Sequence, residues 1–228
     1  MAQMWAILLG FGYAGVPLLS QILASLMQGS SNDYLSTDRA QAAALFLVES
    51  AVLVFVRSLY QRKLAAADSA HLMPRPIYKW DLPSIIAGLG SGSLALAINN
   101  AVLSGLPGAG QQSDAAGEVA TMLQSHDALT TGLLFVGAAV LAPAAEELAY
   151  RGFLLPSLQR AIWTPAAVLV VAVLFGAAHL EPAGLPQLTV VGICLGSAAV
   201  ACRGNLVAPT LGHVAYNSAL FFGLLLGL

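Results

Sequence analysis

Seven stretches of this 228-residue chain are apolar over nearly the length an α-helix needs to cross a bilayer, about 20 residues. They run over 4–27, 40–60, 82–104, 128–150, 162–180, 186–202 and 208–227. Only 9% of the residues are charged, against roughly 25% in an ordinary soluble domain, so most of the outer surface has to face lipid. In lipid the backbone must satisfy its own hydrogen bonds, and runs of this length do so as helices. The expected fold is all-α: a polytopic transmembrane helix bundle of about seven spans, forming a single membrane-embedded domain over 1–228. The third span is diluted by Gly88, Gly90, Gly92, Asn99 and Asn100. The polar, Gly/Ser-rich loops at 28–39 and 105–127 leave room for a short surface helix but not for a further domain.

The composition excludes other classes. Disorder requires more charge and less Leu, Val and Ala than this chain has. No basic face is present to bind phosphates, so nucleic acid is not an expected partner. Cys194 and Cys202 lie eight positions apart in one apolar stretch, about 12 Å of helical rise, which is too far for a disulfide. The first apolar segment follows an uncharged Met1-Ala2-Gln3 and lacks the basic leader of a secretory signal, so it is expected to be retained.

Orientation follows from the nine Lys and Arg residues. Arg57, Arg62, Lys63, Arg75 and Lys79 flank the second connection, Arg151 and Arg160 the fourth, and Arg203 the sixth. Only Arg39 lies in an odd-numbered connection. This bias predicts a cytoplasmic amino terminus and an outside carboxyl terminus.

Ionisable residues inside spans cost roughly 2.5–3.5 kcal/mol each on insertion scales, so each is a functional hypothesis. Five stand out: Glu49, Glu146, Glu147, His179 and His213. Glu49 reads as a packing residue, protonated or bonded to a serine. Glu147 and Arg151 are four apart and can pair on one helix face, while Glu146 points about 100° away. One carboxylate thereby gains a structural partner and the other is left for chemistry. His179 lies near the end of the fifth span. If the fourth helix continues to about residue 160 and Pro165 opens the fifth, Glu146 and His179 are equidistant from the turn. His213 and Asn217 share a face of the last helix. His213 is only a turn or two from the sixth connection, so a kink at Pro156 is expected to bring it level with Glu146 and His179. Two small-residue pairs, Gly88-x-x-x-Gly92 and Gly192-x-x-x-Gly196, read as close helix packing. His71 and His126 read as solvated loop residues. Asn99 and Asn100 read as interhelical hydrogen bonders, with a substrate contact from the third span as the other possibility.

Glu146-Glu147-x-x-x-Arg151-Gly152, Phe175-x-x-x-His179 and His213-x-x-x-Asn217, in that order on separate helices, resemble the CAAX protease and bacteriocin-processing (CPBP, or Abi) family. This is the family of the type II CAAX prenyl endopeptidases. The resemblance covers a motif-bearing core at about 128–220, and the helices within 1–127 match only in general character. It implies an intramembrane endopeptidase in which Glu146 activates water, His179 holds that water, and His213 and Asn217 donate to the oxyanion. Glu147 and Arg151 would orient the site, and Phe175 would pack beneath His179. The implied partners are the lipid bilayer and a membrane-associated peptide or protein substrate, with the site open toward the cytoplasmic side.

A rival mechanism uses the same side chains, because two histidines and a carboxylate are a usual zinc set. Glu146, His179 and His213 would then ligate zinc, with Glu147 as base, although no HExxH occurs. The expectation is a metal-free enzyme, with zinc as the alternative cofactor. Seven spans are one fewer than is usual in the prenyl endopeptidase branch, which leaves the substrate open among a prenylated CAAX protein, a peptide pheromone, a bacteriocin and a membrane protein's tail. Two readings from other classes compete: a non-catalytic scaffold or chaperone binding a partner protein or hydrophobic ligand, and a transporter with a proton relay, for which paired repeats are missing.

Overall fold

The computed structural model describes residues 16–27, 34–66, 78–101, 114–125 and 127–227. All regular structure among them is helical. The helices are α1 (Val16–Met27), α2 (Tyr34–Ala66), α3 (Leu82–Ala101), α4 (Asp114–Leu123), α5 (Ala128–Leu158), α6 (Thr164–Ala178), α7 (Leu185–Ala201) and α8 (Val207–Leu226). All but α4 stand at the predicted spans, and α4 is the short helix for which the 105–127 loop left room. The start of the first span, as well as His71 and His126, lies outside the described residues.

Among the described residues, three segments are long and apolar enough to cross a membrane, at Thr37–Arg62, Leu82–Ala101 and Ala128–Leu158. The apolar helices α6 and α7 are shorter. Apolar side chains face outward along these helices, among them Ile86, Leu94, Leu169 and Val173. Such surfaces need lipid tails rather than water. The protein is an integral membrane helix bundle.

Helix α2 begins at Tyr34, inside the polar stretch expected to be a loop, and runs on past Arg62. Ala, Gln, Arg and Lys are good helix formers, so the helix outlasts its apolar segment at both ends.

Helix α5 carries two π turns, Gly137–Leu141 and Tyr150–Leu154. Each ends two residues before a proline, Pro143 and Pro156. A proline has no N–H, and its ring crowds the carbonyl four residues earlier. The chain answers with i→i+5 bonds from Ala142 to the Gly137 carbonyl and from Leu155 to the Tyr150 carbonyl. The irregularity expected at Pro156 therefore falls in the turn before it.

The chain divides into two compact units. The first comprises 1–55, 112–142 and 217–228. Its core packs Ala42, Met122, Leu123, Leu134 and Phe221. Asp127 caps α5 by accepting from the Thr130 amide (2.9 Å) and hydroxyl (2.8 Å), and Arg39 of α2 grips the same carboxylate through Nε (3.0 Å) and Nη2 (2.7 Å). The Arg39 guanidinium, seconded by the Thr130 donors, holds that carboxyl well below the usual carboxylate range.

The second unit comprises 56–111 and 143–216. Glycines set its helix spacing. A Cβ on Gly88 would stand 2.6 Å from the Ala208 carbonyl oxygen, and one on Gly92 would collide with the carbonyl of Gly212. A Cβ on Gly192 would come within 2.7 Å of Ala172 Cα. Both small-residue pairs thus pack helices closely, as their spacing predicts. Asn205, in the turn between α7 and α8, is buried and ties the unit together. Its Nδ2 donates to the Lys79 carbonyl and to Ser84 Oγ (2.7 Å each), while its Oδ1 accepts from the Lys79 and Val207 amides (3.1 and 3.2 Å).

Candidate active site

The site is built on α5, α6 and α8 within the second unit. Glu147 and Arg151 are one turn apart and wholly buried, with Arg151 Nη1 donating to Glu147 Oε1 at 2.7 Å. The close approach of α6 and α7 brings in a second acceptor, the Gly192 carbonyl, 3.1 Å from Arg151 Nη2. The guanidinium lies 4.9 Å above the Phe175 ring. The buried guanidinium is thus held by an aromatic face and two oxygens, one of them from the Glu147 carboxylate.

His213 stands between the two glutamates. Its Nδ1 is 2.9 Å from Glu147 Oε1, and its Nε2 is 3.7 Å from Glu146 Oε2. An ionised carboxylate only accepts, so Nδ1 carries the hydrogen and Nε2 is directed at Glu146. The Glu146 side chain is 22% exposed where that of Glu147 is closed off, so the two neighbours in sequence occupy different environments. Glu147 Oε2 and Arg151 Nε are buried and have no protein partner.

His179 caps the end of α6, with Nδ1 2.9 Å from the Phe175 carbonyl. That acceptor places the hydrogen on Nδ1. Phe175 is fully buried, and its ring makes edge contacts with His179 (4.9 Å), His213 (5.6 Å) and Tyr150 (5.4 Å). It therefore braces both imidazoles as well as Arg151, rather than His179 alone.

Six of the sequence-predicted residues, Glu146, Glu147, Arg151, Phe175, His179 and His213, fall in this unit. Asn217 belongs to the first unit, where its amide donates to the Ala138 carbonyl at 3.1 Å. Among the described residues no three His, Cys, Asp or Glu side chains form a group able to hold a metal ion. Tyr150 and the Gly192 carbonyl were not foreseen. The first gives no signal beyond lying next to Arg151, and the second is a backbone group that only the helix crossing brings in.

Residues 128–219 match the family model described as type II CAAX prenyl endopeptidase Rce1-like. This segment is similar to the CAAX protease domain of that family. The match takes in every residue of the site and stops short of α1 to α4. Neither a curated protein nor a solved structure matches the chain. The site described here sits within the matched helices.

Proposed function

We propose that the protein is an intramembrane endopeptidase that hydrolyses a membrane-associated peptide or protein with water activated by Glu146. The observation that carries this reading is the position of His213 between a buried, charge-paired Glu147 and a partly exposed Glu146. Glu146 takes a proton from water, and the hydroxide attacks the scissile carbonyl carbon. The proton passes to Nε2 of His213, and the buried Glu147 carboxylate stabilises the imidazolium so formed. Nε2–H then donates first to the oxyanion and finally to the departing amine, so the C–N bond breaks and the proton leaves with the product. His179 accepts a hydrogen from the attacking water through Nε2.

In this reading the amino terminus and the active site face the cytoplasm. The exposed Lys79, Arg160 and Arg203 at even connections support that orientation.

The experiment compares wild type and Glu146→Ala on a panel of membrane-anchored peptides, prenylated CAAX peptides included, with and without a zinc chelator. Cleavage that vanishes in the variant and survives the chelator supports the mechanism. Cleavage lost to the chelator returns the site to metal-activated water, and no cleavage of any peptide by wild type favours a scaffold.

A further inference from the structure

A second buried polar cluster lies in the same unit, where α3, α7 and α8 meet. Asn99, 8% exposed, donates through Nδ2 to the Tyr216 hydroxyl at 2.8 Å, and the same nitrogen is 3.4 Å from the Gln187 main-chain carbonyl. Asn99 Oδ1 and Gln187 Oε1 are both buried and have no donor among the described residues. The Tyr216 oxygen accepts from Asn99, so its own proton is left to donate. Among the described residues it has no acceptor. Buried acceptors are almost always satisfied, and two orphans beside an uncommitted donor mark a place built for a polar ligand.

The cluster adjoins the glutamate site from two directions. Tyr216 is three residues beyond His213, on the same side of α8. Gln187 is in the first turn of α7, beside the end of α6 that carries His179: a Cβ on Gly176 would stand 3.0 Å from Leu185 Cδ1 and 3.2 Å from Thr189 Oγ1. A ligand here must offer N–H donors and at least one acceptor. An extended peptide does so along its backbone, whatever its side chains.

We propose that Asn99, Gln187 and Tyr216 form a subsite for the substrate's main chain. Asn99 Oδ1 and Gln187 Oε1 accept its N–H groups, and the Tyr216 hydroxyl donates to one of its carbonyls. The inference rests on the endopeptidase reading of the neighbouring glutamates and adds to it the groups that fix the register of cleavage. A held N–H sets the distance from that residue to the bond presented to Glu146.

The test uses the full chain in detergent micelles, with Glu146→Ala as the background so that binding is read without turnover. The probe is a fluorescent farnesylated peptide ending in Cys-Val-Ile-Ala, with its singly N-methylated analogues. Methylation at one position is expected to weaken binding about tenfold while Asn99 is present and to cost nothing further in Asn99→Leu. Tyr216→Phe, which keeps the ring, is expected to weaken the parent peptide about tenfold. Equal penalties in both backgrounds, or unchanged affinity in Tyr216→Phe, would mean that the cluster holds only water and would overturn the subsite. The same peptide is offered to wild type for cleavage. Cleavage with a flat methylation profile removes the subsite alone, and the expected profile without cleavage removes the hydrolase reading alone. Absence of binding in every background removes both.

Discussion

Nδ1 of His213 lies 2.9 Å from Oε1 of Glu147, across 66 residues of sequence. The same oxygen receives Arg151, so the imidazole is oriented by a carboxylate that is itself oriented by a guanidinium. The two sequence-adjacent glutamates therefore have separable tasks, one holding a charge inside the fold and the other facing water.

Their isosteric variants should part company. Glu146→Gln is expected to stay folded and to lose cleavage by about 10²-fold or more, as removal of a general base does. Glu147→Gln leaves the buried Arg151 without a counter-charge and is expected to cost about 3 to 5 kcal/mol of stability as well as activity. Thermal unfolding in detergent separates the two. Equal melting of both variants would contradict the division of labour.

Gly92→Leu should act on the site without touching it. Its side chain would displace the Gly212 backbone, and Gly212 precedes His213. Overpacking of this kind costs about 1 to 3 kcal/mol. Cleavage assays on the folded fraction are expected to show a fall in turnover, which a remote surface variant such as Leu94→Ala does not share.

Asn205→Leu keeps the volume and removes four hydrogen bonds, three between the start of α3 and the α7–α8 turn and one within that turn. The Lys79 carbonyl and amide and the Val207 amide then need other partners, at a cost of about 1 to 3 kcal/mol. Increased proteolysis near 78–81 relative to wild type is the expected signature, and an unchanged digestion pattern would count against it.

Acid should release the Arg39–Asp127 clamp. The folded state holds the Asp127 carboxyl below its unfolded value, so the clamp contributes fully above about pH 4 and is lost as pH falls below that. Asp127→Asn can keep the cap to Thr130 but not the charge. Its melting temperature should lie below that of wild type at pH 7, and the gap should start to narrow once pH falls below about 4 and shrink progressively with further acid. A gap that stays constant with pH would assign the effect to the cap alone.

Much of the fold was legible because apolar run length determines spans: 82–104, 186–202 and 208–227 became α3, α7 and α8 with ends moved by a few residues. The Glu147–Arg151 pair was legible for a similar reason, being one helical turn. What spacing cannot give is contact across helices. The contact of Glu147 with His213 joins α5 to α8, and the Phe175 ring meets four side chains from three helices only after packing. Asn205 was invisible as well, because an asparagine in a turn ordinarily signals local geometry. Here its partners are more than 120 residues away in the chain.

The π turn at Tyr150–Leu154 amounts to one residue inserted into a helix. Downstream of Arg151 the side chains are thus rotated by about 100° from the faces that an uninterrupted α-helix would give them. A relative whose helix is straight there should align with this chain through a gap of one residue, and a deletion in this turn would scramble the inward face of α5 without shortening its apolar run.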